Sequence, residues 1–161
     1  MGEYAAPAGS VDGSGMRFAI VVSRFNEDIT GALLEGAERT FAARGVADGD
    51  VTLVRVPGAF ELPLVAQHLA RGGTVDGVVC LGAVIRGDTP HFDYVAGEAA
   101  RGLQAAALAT GVPIVFGVLT VNTHAQAVDR IGGSEGHKGE EAAATALEMI
   151  ALLRQLAAPT D

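Results

Sequence analysis

Residues 78–95 read VVCLGAVIRGDTPHFDYV. The stretch begins as an uncharged run rich in β-branched residues, the signature of a strand buried on both faces. After Gly82 it turns polar, and Arg86, Asp88, Thr89, His91 and Asp93 follow within one short segment broken by Gly87. A buried strand that empties into a dense polar loop is where α/β domains place their chemistry.

The flanking sequence repeats the same grammar. Residues 17–22 (RFAIVV), 51–56 (VTLVRV) and 112–119 (VPIVFGVL) read as further strands beside the central one at 77–84. Helical periodicity covers 28–44, where Ile29, Leu33, Ala37 and Phe41 recur every fourth residue and Gly45 is the expected stop. Further helices are predicted from 60 to 71, 94 to 110 and 138 to 156, with a short one at 124–131. Thr123 is a suitable cap for that short helix, and 132–136 reads as a flexible link. Pro63 falls in a first helical turn and Pro113 at a strand start, where a missing N–H costs least. Strand and helix alternating four times, plus one extra helix, imply a parallel sheet with right-handed crossovers. The expected fold is a three-layer α/β/α sandwich around a four-stranded parallel, flavodoxin-like sheet, forming a single domain over residues 16–158. Residues 1–15, rich in Gly with Pro7, Ser10 and Ser14, are expected to be a flexible N-terminal segment, part of which pairs with a neighbour's sheet edge. If the fold is right, the strand exits at 24–26, 58–61, 86–93 and 120–122 converge on one ligand crevice.

Composition narrows the classes. The 161 residues are 49% apolar with no Trp, and the mean hydropathy is +0.33. No run is long and charge-free enough to span a bilayer, and residues 1–15 have neither the basic start nor the apolar centre of a secretion signal. The surplus of small apolar residues, concentrated in the Ala- and Gly-rich helix at 94–110, is expected to be buried between subunits. With 11 basic against 19 acidic residues and a net charge of −8, nucleic acid and anionic membranes are not expected as partners. The single cysteine, Cys80, lies in an apolar strand and fits a reducing cytoplasm, with no disulfide framework.

Neither a P-loop nor a GxGxxG nor a GxSxG elbow is present, and no two of the four histidines stand at a metal-ligand spacing. His91 is the candidate for proton transfer, with Asp88 and Asp93 near in sequence to tune it; an exposed loop histidine is the plain alternative. Arg86 reads either as an anion contact or as an ion-pair partner of Asp88. Phe25 and Phe60 could stack on a planar ligand or cap the core. Glu61 could accept hydrogen bonds from a polyol or serve its helix start. Arg130 and Lys138 could supply positive charge to a phosphate or be solvated helix ends. His68 and His124 read as helix-surface residues.

Together SRFN at 23–26, PGAFELP at 57–63, GAVIRGDTPHFDYV at 82–95, GVPIVFGVLT at 111–120 and DRIGG…HKGEEAA from 129 to 143 resemble the 6,7-dimethyl-8-ribityllumazine synthases. The likeness covers nearly the whole chain. It implies condensation of 5-amino-6-(D-ribitylamino)uracil with 3,4-dihydroxy-2-butanone 4-phosphate, the penultimate step of riboflavin biosynthesis, with release of phosphate and water and without a cofactor or metal. By this resemblance His91 is the general acid/base and Phe25 stacks on the pyrimidine. Ala59, Phe60 and Glu61 contact the ribityl chain and ring, and Ala83, Val84 and Ile85 offer backbone contacts to the pyrimidine. Asp88 and Thr89 hold the phosphate with Arg130, while Lys138 and a neighbour's Phe116 complete the site. Two departures stand out: His137 replaces the usual Asn before Lys-Gly, and Ile131 the frequent Ala. The resemblance also implies homopentamers with sites between subunits, a shell of twelve pentamers given the short 132–136 link, and riboflavin synthase as a partner. A flavin- or phosphate-binding module, a shell protein with vestigial catalysis and an archaeal-type riboflavin synthase remain the alternatives.

Overall fold

The computed structural model describes residues 1–5 and 9–158. Its centre is β3 (Gly77–Ile85), buried along its length except at Ile85. β3 is held in parallel by β1 (Phe18–Ser23) on one side and β4 (Ile114–Val121) on the other. β2 (Val51–Val56) pairs with β1, so the order is β2-β1-β3-β4. This is the parallel sheet expected from the alternating pattern.

Side-chain alternation along β3 feeds two cores. Val79, Leu81 and Ala83 pack on one face with α1 (Glu27–Ala43) and α5 (Lys138–Ala157). Val78, Cys80 and Val84 pack on the other with α2 (Leu62–Arg71) and α3 (His91–Thr110). Handedness explains this division: the β1–β2 crossover runs one way along the sheet and the later ones run the other, so right-handed connections put their helices on opposite faces. The four apolar α1 positions read from the sequence are all buried, and the Phe41 ring stacks on Phe18 at 4.3 Å. Full burial keeps the Cys80 thiol protonated by pushing its pKa well up.

Close helix contacts use glycine. A Cβ at Gly102 of α3 would lie 2.7 Å from the Pro63 ring of α2, and one at Gly139 of α5 would overlap the backbone of Leu33 in α1. On α3 only Ala99, Leu103 and Ala106 are buried, and Tyr94 and Leu108 stand open.

Local boundaries differ from the sequence reading. α3 begins at His91 rather than at 94, because Thr89 and Pro90 already form its start: the His91 N–H donates to Thr89 Oγ1 at 3.4 Å. The short helix α4 (His124–Val128) stops earlier than expected, its Thr123 cap accepting from the Gln126 N–H. The 132–136 link is a tight antiparallel hairpin of β5 (Ile131–Gly133) and β6 (Gly136–His137), made possible by positive φ at Gly132 and Gly136. The N-terminal segment is anchored where Val11 enters the α1/α5 core and the Gly13 N–H donates to Arg44 O at 2.7 Å. The expectation of flexibility for residues 6–8 lies outside the described residues.

Candidate active site

Strand order places the topological switch point between β1 and β3, because the chain leaves β1 toward one sheet edge and β3 toward the other. The crevice beyond the carboxyl ends of these strands is where such folds bind ligands. Here the four exits are stitched into one rim. Arg24 N–H donates to Val56 O at 2.9 Å and Phe25 N–H to Pro57 O at 3.1 Å. Asn26 Nδ2 donates to Ala83 O at 3.0 Å. Arg86 N–H donates to Val121 O at 2.9 Å, and its Nε to Asn122 Oδ1 at 3.0 Å.

On this rim the candidates divide into surfaces and arms. Ala59, Ala83 and Val84 are buried, so they can offer a ligand backbone groups but hardly side chains. Phe25 is 72% exposed on a loop whose N–H is tied to Pro57 O, and Phe60 is 57% exposed in a turn closed by the Glu61 N–H on Gly58 O. An exposed aromatic held by fixed backbone forgoes burial and suits stacking on a flat ligand better than capping a core. Glu61 closes a 3-10 turn, Ala59–Glu61, with its carboxylate folded back toward Gly58. Asp88, Thr89 and His91 are all exposed at the start of α3. The first backbone N–H groups of that long helix have no intrahelical acceptor, so Asp88 and Thr89 stand beside a surface suited to an anion.

Arg86 does not pair with Asp88. Its guanidinium lies 4.2 Å from the centroid of Phe92, reaches Asp93 at 3.5 Å and bonds Asn122. With α3 beginning at His91, Phe92 and Asp93 lie in its first turn, and both meet the Arg86 side chain at the end of β3. Arg86 is thus a clamp between β3, α3 and the β4 exit. Asp93, expected to tune His91, is its partner.

Phe116, Arg130 and Lys138 lie elsewhere. All three line a groove of about 780 Å³ along the outer side of β4, with Gln104, Ala107 and Leu108 on the α3 wall and Glu141, Thr145 and Met149 on the α5 wall. Val121, which accepts from Arg86 on the rim, lines this groove too, whereas Phe25, Ala59, Phe60, Glu61, Asp88, Thr89 and His91 do not. Arg130 Nη1 donates to Gln126 O at 2.8 Å, and Lys138 Nζ meets both oxygens of Glu141 at 2.9 and 3.1 Å. Within one chain Arg130 is therefore grouped with Lys138 and Phe116 rather than with Asp88 and Thr89.

Three further residues escaped the sequence reading. Asn26 is the one described non-glycine residue with positive φ, 62°, and the signal was present in Asn between a strand and a helix. His124, read as a bare surface residue, places Nε2 2.6 Å from Asp28 Oδ2 and holds that carboxyl below its ordinary pKa through the hydrogen bond. His137 caps α5; nothing local in the sequence distinguishes a capping imidazole from an exposed one. Among the described residues no group of three or more His, Cys, Asp or Glu gathers in a way that could hold a metal ion, and no helix is long and apolar enough to cross a membrane.

Residues 15–154 of the 161 match a family model described as 6,7-dimethyl-8-ribityllumazine synthase.

Proposed function

The chain belongs to the 6,7-dimethyl-8-ribityllumazine synthase family, transferases that form a lumazine in riboflavin biosynthesis, and we propose from that premise that it condenses 5-amino-6-(D-ribitylamino)uracil with 3,4-dihydroxy-2-butanone 4-phosphate. The observation that carries the proposal is the crevice at the β1/β3 switch point. There two exposed rings, a line of backbone groups from β3 and an exposed imidazole share one hydrogen-bonded rim.

In this reading the pyrimidine lies on Phe25 and against the backbone of Ala83, Val84 and Ile85. The ribityl chain runs past Ala59 and Phe60 to the Glu61 carboxylate. The phosphate of the four-carbon partner sits at the start of α3, held by the Thr89 hydroxyl and by backbone N–H groups beside Asp88. The 5-amino nitrogen attacks the ketone and loses water to give an imine. A proton leaves carbon and phosphate departs with its bonding pair. The enol so formed takes a proton at its terminal carbon to become a ketone, the ribitylamino nitrogen closes on that new carbonyl, and a second loss of water yields the lumazine. Every step moves a proton, and we assign that transfer to His91; such a group contributes about 10²–10⁴-fold in rate. Holding both reactants in the crevice lowers the barrier further, by lost translational freedom already spent on binding.

Arg86, the cation that leads from β3 into the start of α3, is engaged with Asp93, Asn122 and Phe92, so in this reading the phosphate still calls for a cationic partner. Arg130, Lys138 and Phe116 in the β4 groove supply what is missing if a second chain brings its groove to this crevice. We therefore assign the site to the junction of two subunits of a cytoplasmic homopentamer, with the short hairpin at 131–137 compatible with assembly of pentamers into a shell. Mixing both substrates with the protein should produce the lumazine chromophore, and light scattering should report a particle of pentamer mass or a multiple of it. Substrate binding without a new chromophore would sink the catalytic reading.

A further inference from the structure

The two cations of the β4 groove share one junction. Ile131 pairs with His137 across the small hairpin, and the Lys138 N–H donates to Arg130 O at 2.8 Å. Both side chains are therefore oriented by the turn in which α5 begins. That turn is closed by His137, whose Nδ1 accepts the Glu140 N–H at 3.3 Å. The ring is seated on α1: a Cβ added at Gly36 would overlap it, and the three atoms nearest such a Cβ all belong to the imidazole.

We propose that His137 is a positioning residue for Arg130 and Lys138, its neutral imidazole acting as a cap wedged between α5 and Gly36 of α1. The proposal rests on the reading of the β4 groove as the cationic half of the active site. An uncapped helix frays in its first turn, and here that turn carries Lys138 and anchors Arg130. The cap requires an acceptor at Nδ1. A doubly protonated imidazole has none and would turn an N–H toward another N–H.

The groups around the ring do not replace it. From α1, Glu35 and Arg39 line the same small hollow, and from α5, Glu140 does. The Glu140 carboxylate is taken up by Arg39 at 3.0 Å, and Lys138 is engaged with Glu141 one turn on. The hairpin side offers Ile131 and the glycines at 132, 133 and 136, which do not titrate. Loss of the ring thus removes the cap, while Glu140 and Lys138 stay engaged with Arg39 and Glu141.

The test compares three variants of the assembled enzyme. His137→Ala should raise KM for the phosphorylated four-carbon substrate about fivefold, the equilibrium factor of one lost cap, with kcat within about twofold. His137→Asn should restore wild-type KM, because an amide oxygen can accept the same N–H without titrating. Gly36→Ala should reproduce the KM increase in the wild type and add nothing in the His137→Ala background. Amide exchange at Glu140 reads the cap without reference to turnover: faster in His137→Ala, protected in His137→Asn. Unchanged Glu140 exchange in His137→Ala, or failure of Asn to rescue a folded enzyme, overturns the proposal. No chromophore from the wild type would instead overturn the assigned reaction, with the exchange result still deciding the cap.

Discussion

β3 and β4 run side by side in unbroken register from Val78 opposite Ile114 to Ile85 opposite Val121. Both are apolar and β-branched, yet they have different fates. β3 is buried on both faces and paired on both edges. β4 pairs with β3 alone; its outer edge forms the floor of the groove, and Phe116 in mid-strand remains 43% exposed. The lesson is that strand composition reports how apolar the final surroundings are, whereas one chain reports only what that chain can cover. An edge strand as apolar as a central one carries an unfilled requirement, and unpaired N–H and C=O groups add to it. Here the unfilled side also carries Arg130 and Lys138. In the proposed site the central strand supplies one half from its own exit, and the edge strand offers the other half to a neighbouring chain.

The largest effect expected is on the β3 side. His91→Ala should lower kcat by about 10²–10⁴-fold with the fold intact by circular dichroism. A variant as fast as wild type would move proton transfer away from the β3 exit.

Stability separates the two strands next. Leu81→Ala in β3 should cost about 2–5 kcal/mol in urea unfolding at fixed protein concentration. Phe116→Ala in β4 should cost the folding of one subunit less than about half of that, because its side chain is 43% exposed within its own chain, and should weaken the proposed junction instead. Equal losses would erase the distinction between centre and edge.

Sharing of the site has its own test. His91→Ala and Arg130→Ala chains, each nearly inactive, should regain activity when co-refolded. Random mixing pairs an intact crevice with an intact groove in about a quarter of the junctions. If both halves belonged to one chain, mixing would recover nothing.

The smallest effect concerns Asp28 and His124, which tie the start of α1 to α4 just past β4. The Asp28 pKa is lowered in the fold, so its contribution is present above the unfolded-state pKa and is lost as pH falls through the folded value. His124→Gln should move the Asp28 titration upward toward the ordinary carboxylate value, followed by NMR. An unmoved titration would show that the two exits are not coupled through this pair.

Much of the molecule was legible before folding. The uncharged, β-branched run at residues 78–84 and the period-four apolar positions Ile29, Leu33, Ala37 and Phe41 are local properties, because hydrophobic patterning and backbone geometry act within one element. They sufficed for the four strands, the principal helices and the three layers, and the four strand exits converge as the fold rule requires. The start of α3 was misplaced because Thr89 and Pro90 read equally well as loop and as helix entry, and with it the partner of Arg86 was misjudged.

What the sequence determined by itself was which residues are apolar, which can stack, which can carry a proton and in what order the layers arise. What only the tertiary structure decided was which of those residues meet. Arg86 found Phe92, Asp93 and Asn122; Arg130 joined Lys138 and Phe116 on the far side of β4; His137 settled over Gly36. The physical reason is range. Secondary structure follows from contacts a few residues apart, but a hydrogen bond or ion pair exists only where two distant segments are brought within about 3 Å, and that is set by strand order, crossover hand and close helix approach together.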